Sequence, residues 1–485
     1  MLLTAAWFAH SERLADNQAS NRVVIIPQPK LVRTGAGELK IADSAKWSLT
    51  SSSRDERLWE TVKHLIRSEN GNFRSGSNST VVQIGAVPRS DLPVRDQLPE
   101  WASNPEGYQL VTSSNGITII SSTSQGAFYG LQTLAQLLDR TSTGWTCPIV
   151  KIQDWPSMRF RGAHWFPSAS DFPMHMKLIG NVLAPLKLNN SVIQCEAARW
   201  DKHPEIVGSN SISKADLGRL VQACRAAYIE PIPLVNTPGH AEWLFRNGNN
   251  LDLAEDPDAA YAYCVRNPRS YEFVEDVFSE CIQIFRPMYF HLGHDEVTMR
   301  GRFPNPNCPR CNDATVAGLI GEHAARLKNW FEKQDIRTMI WGDMLLGPGE
   351  AADATHAKTV EDARERRSKI PKGTTIVDWH YAEKADARSL KIFQQGGFNV
   401  IAATFWSPNN IYNFSQAALE ARAEGLLQTT WMGYFPDERA MRNELRQFVG
   451  FVLAAEYAWS GKKDAPAQLG YDAGKVFKAL YDRNR

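Results

Sequence analysis

The sequence predicts an α/β protein in which a (β/α)8 TIM barrel follows a small α+β accessory domain. Three observations predict this fold. Short apolar runs alternate eight times with longer amphipathic segments after residue 160. Before that point, β-rich runs are followed by a single amphipathic helix. The whole chain has 485 residues, which suits a large barrel together with one smaller domain.

The first domain is predicted from four short runs broken by Ser, Asn and Gly: RVVIIPQPK, STVVQIG, GYQLVTS and GITIISS. The next segment, GAFYGLQTLAQLLDR, places Phe128, Leu131, Leu134 and Leu138 at helical spacing. CPIVKIQDWP then leads out of the domain, and Pro156 marks its end. We therefore expect an accessory domain at 22–155 and a barrel domain at 156–485.

The N-terminal stretch MLLTAAWFAHSERLA has a short apolar segment but no basic region ahead of it. We interpret residues 1–21 as a tail or a weak export signal. This pattern favours a cytoplasmic location, with export through a short signal left open.

Eight strands are predicted for the barrel, from FRGAHWF, SVIQCE, EPIPLVNT, MYFHLG, RTMIWGD, TTIVDWHY, FNVIAATFW and LLQTTW. Helical segments lie between them. SKADLGRLVQACRAAY opens with a Ser-x-x-Asp capping pattern, and ARSLKIFQQGG ends with two glycines that favour a helix C-terminus. A doubly wound open sheet is the rival fold, but no segment resembles its Gly-rich dinucleotide turn.

Polar and aromatic residues stand at the ends of almost all predicted barrel strands. In a barrel these ends converge on one face, where active sites lie. Indoles mixed with carboxylates suit a sugar site, because pyranose rings have apolar C–H faces and polar rims. The strand-end residues are Glu196, His240, Asp295, Glu296, Trp341, Asp343, Trp379, Tyr381, Trp406 and Trp431.

Composition limits the class of partner. Hydrophobic residues make up 43% of the chain and charged residues 22%, with a formal net charge of +1. This balance gives no electrostatic reason to expect nucleic acid or a membrane surface as a partner. No apolar run reaches the length of a membrane span.

The 7 cysteines are scattered and odd in number, so they do not form a disulfide framework. Cys308-x-x-Cys311 lacks the second pair of a structural zinc site. We interpret the two as inert thiols that shape a loop, and leave a zinc site or a disulfide open.

The run FHLGHDEV, from Phe290 to Val297, allows three interpretations. A metal site would use His291, His294 and Asp295, but zinc sites on one segment usually have i, i+4 spacing on a helix. A second interpretation is that the acids form structural salt bridges. The third, which we favour, makes Glu296 a general acid whose pKa is raised by burial among indoles, while Asp295 stays ionised.

The same run resembles the His-x-Gly-x-Asp-Glu signature of glycoside hydrolase family 20, the β-N-acetylhexosaminidases. IIPQPK and GAFYGLQTLAQLL resemble the opening and the closing helix of that family's accessory domain, and DWPSMRFRG resembles the junction into its barrel. PIPLVNTPGH, RTMIWGDMLL, TIVDWHY and LLQTTW resemble later strand segments. The resemblance covers about residues 22 to 460 and suggests a divergent branch.

The resemblance implies a retaining exo-β-N-acetylhexosaminidase with substrate-assisted catalysis, an exception to the two-carboxylate scheme. Glu296 would protonate the glycosidic oxygen, and the substrate's 2-acetamido oxygen would attack the anomeric carbon. Asp295 would hold the acetamido N–H. The expected partner is a small-molecule or oligosaccharide substrate with a terminal N-acetylhexosamine, and no cofactor or metal is implied.

The resemblance also implies substrate-binding roles. It matches Arg161 with a residue that binds sugar hydroxyls and His240 with one that supports the acid pair. Indoles at the later strand ends would surround the acetamido methyl and stack beneath the ring. This aromatic set is Trp341, Trp379 and Trp431, with Trp406 and Tyr381 as candidates for the wall and a hydroxyl donor.

Two stretches depart from the family pattern. RGAHWFPSAS lacks the aspartate and the second arginine that commonly follow the RG arginine, and the paired aspartates after the second strand are absent. Glu196 is the expected substitute that accepts a sugar hydroxyl. The departures keep two alternatives open: a catalytically weak carbohydrate-binding protein, and a metal-dependent barrel hydrolase.

Overall fold

The computed structural model describes residues 24–43, 47–51, 55–66, 82–86, 99–434 and 437–483. The stretch interpreted as a tail or a weak signal, residues 1–21, lies outside the described residues. The first three residues of the STVVQIG run lie outside them as well.

An N-terminal sheet of seven strands is seen in the described part of the chain, in the order β1-β7-β4-β5-β3-β2, with β6 paired to β7. Its strands are β1 (Leu31–Ala42), β2 (Trp47–Ser51), β3 (Val82–Ala86), β4 (Tyr108–Ser113), β5 (Gly116–Ser121), β6 (Asp139–Arg140) and β7 (Gly144–Asp154). Its helices are α1 (Glu56–Ile66), α2 (Glu100–Ser103) and α3 (Ser124–Leu137). The α+β architecture predicted for this region is confirmed.

The first predicted strand is wrong. The run RVVIIPQPK contains no strand at residues 24–30, and β1 begins only at Leu31. Pro27 and Pro29 cannot donate to a strand ladder. The side chain of Gln136 instead bonds both the N–H and the carbonyl of Ile26.

The second region is a closed parallel barrel in the order β10-β11-β12-β13-β14-β15-β8-β9. Each of the eight predicted strands overlaps one observed strand, so the predicted TIM barrel is confirmed. The strands are β8 (Phe160–Trp165), β9 (Asn190–Gln194), β10 (Glu230–Thr237), β11 (Tyr289–Gly293), β12 (Arg337–Trp341), β13 (Thr375–Trp379), β14 (Asn399–Thr404) and β15 (Gly425–Gln428).

Helices surround the barrel. The capping pattern predicted before the helix Lys214–Ala226 is observed, since the Ser213 side chain accepts from the N–H of Asp216. The helices are α4 (Phe172–Leu178), α5 (Lys214–Ala226), α6 (Pro268–Phe285), α7 (Val316–Glu332), α8 (Val360–Lys369), α9 (Arg388–Gln395), α10 (Pro408–Ala421), α11 (Glu438–Asn443), α12 (Leu445–Ser460) and α13 (Ala473–Tyr481). A π-helical turn, Ile179–Leu183, continues α4.

Short 3₁₀ segments lie mainly in the loops after β10 and β12, the side of the barrel that carries the acid pair. They are Pro204–Ile206, Ala241–Trp243, Arg246–Gly248, Leu251–Leu253, Pro257–Ala259, Asp343–Leu345 and Pro466–Gln468.

A separate apolar cluster fills the barrel interior, formed by side chains that alternate along the strands. Its buried members are Phe160, Val192, Ile232, Leu234, Met339, Trp341, Val377, Ile401, Ala403 and Leu427. Trp341 joins this packed interior to the strand ends above it.

A buried polar network joins the two regions. Asp154, at the end of β7, is fully buried and pairs with Lys187 at 2.9 Å. The same carboxylate accepts from the Tyr108 hydroxyl at 2.7 Å and from the Trp459 indole at 2.8 Å. Because each buried charge and donor has a partner, this interface holds the accessory sheet in one position against the barrel.

Among the described residues, we find no helix that is both long and apolar enough to cross a lipid bilayer.

Candidate active site

The acid pair follows β11 on a tight turn. Gly293 has φ 74°, and a Cβ there would lie 2.4 Å from Oδ1 of Asn236, so only glycine fits. Glu296 is itself left-handed, with φ 49°. Such strained positions are typical of functional sites. The turn places Asp295 and Glu296 in different surroundings although they are neighbours in the chain.

Glu296 is partly open to solvent, with 30% of its side chain exposed. Its Oε2 lies 3.2 Å from Nε2 of His240. The hydrogen bond from His240 lowers the pKa of Glu296 below its ordinary value, against the effect of partial burial. Glu296 is therefore a half-buried carboxylate that an incoming ligand can reach.

Asp295 is buried, with 8% of its surface exposed. Burial raises the pKa of Asp295 to about 7, although the charge of His240 acts in the opposite direction. Its Oδ2 lies 3.6 Å from Nε2 of His240. No hydrogen-bond partner reaches its Oδ1 among the described residues. A buried carboxylate oxygen without a donor is an acceptor available to a ligand N–H or O–H.

The pKa shifts of Asp295 and Glu296 are the opposite of those expected from the sequence. Burial among indoles was expected to raise the pKa of Glu296 and to leave Asp295 ionised. The structure instead buries Asp295 and leaves Glu296 beside a cationic imidazole. In the unliganded protein, burial therefore favours the protonated form of Asp295, and the hydrogen bond from His240 favours the ionised form of Glu296.

His240 lies beside both carboxylates, on the turn after β10. Burial disfavours its charged form, but the hydrogen bond to Glu296 and the charge of Asp295 raise its pKa to about 9. Its backbone is left-handed, with φ 50°. The preceding Gly239 lets the two loops meet, since a Cβ there would lie 2.9 Å from Cα of Val297. His240 is thus a fixed cation next to the acid pair.

Asp343 ties three segments together beneath the pair. Its Oδ2 accepts from the backbone N–H of Glu296 at 2.9 Å and from Nδ1 of His356 at 2.8 Å. Its Oδ1 accepts from the indole N–H of Trp379 at 3.0 Å. The sequence marks Asp343 as a strand-end acid but gives it no role. His356 lies in a loop without a recognisable signal, so sequence reasoning misses it.

Four aromatic side chains form a continuous wall, which we call the aromatic wall: Trp341, Trp379, Tyr381 and Trp431. The rings of Trp379 and Tyr381 lie 4.8 Å apart, and those of Trp341 and Trp431 6.0 Å apart. The Trp431 indole donates to the Tyr381 hydroxyl at 2.8 Å. Burial, together with the nearby charge of Asp295, raises the pKa of Tyr381, which keeps its O–H protonated.

Trp406 is not part of the aromatic wall. It is 41% exposed, and the guanidinium of Arg446 lies 4.6 Å from its ring. Phe405 takes the place beside Tyr381, with ring centres 5.1 Å apart. β14 ends at Thr404, and neighbouring side chains on an extended chain face opposite ways, so only one of the two aromatics reaches the wall.

Arg161 does not reach the site either, contrary to the role matched to it. Phe160 points into the barrel interior, so Arg161 faces outward. Its guanidinium is fully buried and forms a bidentate pair with Glu106 of the accessory domain, at 2.8 and 3.0 Å. It also donates to the carbonyls of Lys187 and Met158. Arg161 therefore holds the two domains together.

We expect Arg161→Met to destabilise the protein by about 3–5 kcal/mol, because it leaves the Glu106 carboxylate without its buried partner. Chemical denaturation measures the loss. Arg159→Met, a change at an exposed neighbour, is the control and should shift the midpoint little. An unchanged denaturation midpoint in Arg161→Met, together with weaker ligand binding, would indicate that Arg161 contacts the ligand.

Glu196 lies at the end of β9 with both oxygens occupied. It accepts from the backbone N–H of Asn236 at 3.1 Å, from Gln194 at 3.0 Å and from the Tyr434 hydroxyl. Burial raises the pKa of Glu196 to about 7. The charge of His240 acts in the opposite direction. A ligand hydroxyl would have to share or replace one of these donors.

The histidines of the metal interpretation do not converge. His291 is fully buried against Trp341, with ring centres 4.4 Å apart. His294 turns away, and its Nε2 lies 2.7 Å from Nδ1 of His323. Within the described ranges, the grouping of residues that could hold a metal contains neither of them, nor Asp295. The geometry does not fit a metal-dependent hydrolase that uses these three residues.

These features define a two-domain TIM-barrel protein whose acid pair and aromatic wall occupy the carboxyl ends of the strands. Residues 142–461 match the profile described as "Glycosyl hydrolase family 20, catalytic domain", and residues 23–155 match "Glycosyl hydrolase family 20, domain 2". The chain belongs to glycosyl hydrolase family 20.

Relatives of this family are distant in sequence. The chain is 27% identical over 338 residues to a beta-hexosaminidase of Porphyromonas gingivalis, a match that covers 58% of this chain and 41% of the relative. It is 24% identical over 412 residues to a beta-hexosaminidase of Emericella nidulans, covering 70% and 66% of the two chains. The chain thus spans less than two thirds of these relatives.

The fold is also that of a solved chitobiase of Flavobacterium johnsoniae. The two structures superpose with a TM-score of 0.73 at 18% identity, over 95% of this chain and 72% of the other.

Proposed function

We propose that this chain is a retaining exo-β-N-acetylhexosaminidase that uses the 2-acetamido group of its substrate as the nucleophile. The single observation that carries the proposal is the buried Oδ1 of Asp295, which lacks a hydrogen-bond donor among the described residues. An acetamido N–H would supply that donor, and the aromatic wall would enclose the acetyl methyl. The two beta-hexosaminidase relatives support the same assignment.

In the proposed reaction the two carboxyl groups have separate roles. Glu296 gives its proton to the glycosidic oxygen while the acetamido carbonyl oxygen bonds to the anomeric carbon, and the glycosidic bond breaks. Asp295 accepts from the acetamido N–H and offsets the positive charge of the oxazolinium ion. Glu296 then removes a proton from water, which attacks the same carbon and reopens the ring with retention. One water is consumed for each bond cleaved.

In the proposed mechanism, substrate binding favours the protonated form of Glu296 and the ionised form of Asp295. The acetamido N–H favours the ionised form of Asp295 and lowers its pKa. A sugar oxygen next to Glu296 excludes water and competes with His240 for the carboxylate, which raises the pKa of Glu296. Both changes favour a protonated Glu296 beside an ionised Asp295 only when the right substrate is bound. In the free protein these protonation states are not favoured.

One observation favours the alternative of a catalytically weak carbohydrate-binding protein. Arg161 and Trp406, two of the predicted sugar contacts, lie outside the site. Without these contacts the protein would bind the hydroxyl groups of the sugar more weakly, while the residues proposed to bind the acetamido group remain in place. The alternative therefore predicts binding without appreciable turnover.

Hydrolysis of 4-nitrophenyl N-acetyl-β-glucosaminide tests the proposal. We expect turnover of this substrate and competitive inhibition by a thiazoline that mimics the oxazolinium ion. The matched 4-nitrophenyl β-glucoside, which lacks the acetamido group, should not be hydrolysed, because the internal nucleophile is absent. Equal turnover of both would rule out substrate assistance, and thiazoline binding without turnover would favour the binding-protein alternative.

A further inference from the structure

A second cluster of reactive side chains lies in the loops after β10 and β11, formed by Glu255, Cys264, Cys308 and Cys311. Their ligand atoms all lie within 4.8 Å of one another, and all four side chains are buried. Cys308-x-x-Cys311 alone predicts inert thiols. The fold adds two donors from the loop after β10, far away in the sequence.

The sulfur separations fit a tetrahedral ion. Sγ of Cys264 lies 3.7 Å from Sγ of Cys308 and 3.5 Å from Sγ of Cys311. Sulfurs bound to one tetrahedral zinc at ~2.3 Å lie roughly 3.8 Å apart, whereas a disulfide would bring them to ~2.05 Å. All three cysteines are free. Three thiols around one point are thus spaced as ligands and not as disulfide partners.

Glu255 provides an independent sign of a missing ligand. It is 1% exposed, and its Oε1 accepts from the backbone N–H of Asn305 at 2.9 Å. Its Oε2 is buried, no N–H or O–H among the described residues donates to it, and the thiols of Cys264 and Cys311 face the carboxylate. A thiol is a weak donor, so burying this carboxylate without a cation is costly. A divalent cation would satisfy this oxygen and complete a four-ligand shell.

We propose that Glu255, Cys264, Cys308 and Cys311 bind one zinc ion in a closed structural site. Thiolate ligands in a tetrahedral arrangement select zinc over calcium or magnesium, which prefer oxygen ligands. Four protein ligands leave no open position, so the ion takes no part in the chemistry of the acid pair. Binding expels the thiol protons of the cysteines.

The zinc site would stabilise the two loops that position the acid pair. Cys264 follows Tyr261 by three residues, and the Tyr261 hydroxyl donates to the carbonyl of Glu296 at 3.2 Å. The Tyr261 ring also lies 5.0 Å from the ring of His240. Cys308 and Cys311 belong to the loop that leaves the acid pair. One ion therefore fixes the loop that supports His240 to the loop that carries Glu296.

Metal analysis of the purified full chain, followed by reconstitution with zinc, tests the site without any variant. We expect about one zinc per chain, and on replacement with Co²⁺ the absorption bands of tetrahedral cobalt thiolate. Denaturation without reductant should release all 7 thiols once the metal is chelated. A chain that stays metal-free after reconstitution, or that titrates two thiols fewer, would overturn the proposal.

Two variants separate this site from the other cysteines. Cys308→Ser/Cys311→Ser should reduce the zinc content to roughly a tenth or less of the parent and lower the thermal midpoint. Cys224→Ser, at another buried thiol, is the matched control and should retain the metal. Full zinc content in the double variant would overturn the assignment. Since the metal is measured directly, this result does not depend on whether the proposed hydrolase activity is found.

Discussion

Glu296→Gln is expected to lower kcat by about 10²- to 10⁴-fold for N-acetyl-β-glucosaminides whose leaving groups need a proton. The amide keeps the shape of the side chain but has no acidic proton to give. KM should change little, because the acetamido group is held elsewhere in the site. Steady-state kinetics with alkyl and 4-nitrophenyl leaving groups measures the effect, which should be larger for the alkyl substrates.

Glu242→Gln is the control for that prediction. Glu242 lies two residues from His240, and 45% of its side chain is exposed in its pair with Arg300. We expect nearly normal kinetics from this variant, since an exposed ion pair contributes little. Normal turnover of alkyl glycosides by Glu296→Gln would show that Glu296 is not the general acid.

Asp295→Asn is expected to reduce kcat by about 10²- to 10³-fold, the typical loss when one preorganised group at a developing charge is removed. The carboxylate accepts a hydrogen bond from the acetamido N–H, and its charge offsets that of the oxazolinium ion. The asparagine amide is neutral and cannot offset this charge. The loss should be similar for good and poor leaving groups, in contrast to Glu296→Gln, because cyclisation is slowed and not proton donation. Comparison of the two leaving-group profiles checks this.

The same variant should change the pH dependence. The productive form of the pair carries one proton, which the free protein gains as the pH falls through about 7. A second proton adds only below the ordinary value for Glu296, since the bond from His240 lowers that pKa. kcat/KM should therefore fall as pH rises through about 7 and again at strongly acidic pH. In Asp295→Asn the proton must come from Glu296 alone, so the alkaline limb moves to lower pH.

Glu196 provides the control for the pH experiment, because burial raises its pKa to about 7 as well. Glu196→Gln should raise KM and leave the alkaline limb in place. If the limb moved in Glu196→Gln and stayed fixed in Asp295→Asn, the titrating group would be Glu196.

Much of the fold could be predicted from the sequence because the signals are local. The apolar runs of the eight barrel strands and the capping pattern before α5 each depend on a few neighbouring residues. The exception is RVVIIPQPK, where apolar residues suggest a strand but two prolines and the distant side chain of Gln136 prevent one. A local pattern cannot show a partner that lies 110 residues away.

The candidate site could be predicted only in outline. His240, the acid pair and three indoles stand at strand ends, where barrel geometry brings them together. The direction in which each side chain faces could not be predicted from the sequence in the same way. Arg161 faces the accessory domain because Phe160, its neighbour at the start of β8, takes the inward position. Trp406 faces solvent because Phe405 takes the place beside Tyr381 after β14 ends.

By itself, the sequence determined the barrel, the accessory domain and the position of FHLGHDEV at a strand end, because spacing and residue type encode these locally. Only the tertiary structure decided which carboxyl of the pair is buried, since the residues that contact the pair, such as His240 and Asp343, come from loops that follow other strands. It also decided that Glu255 and Cys264 join Cys308 and Cys311. Burial and ligand geometry arise from contacts between distant residues, and the order of residues along the chain does not contain them.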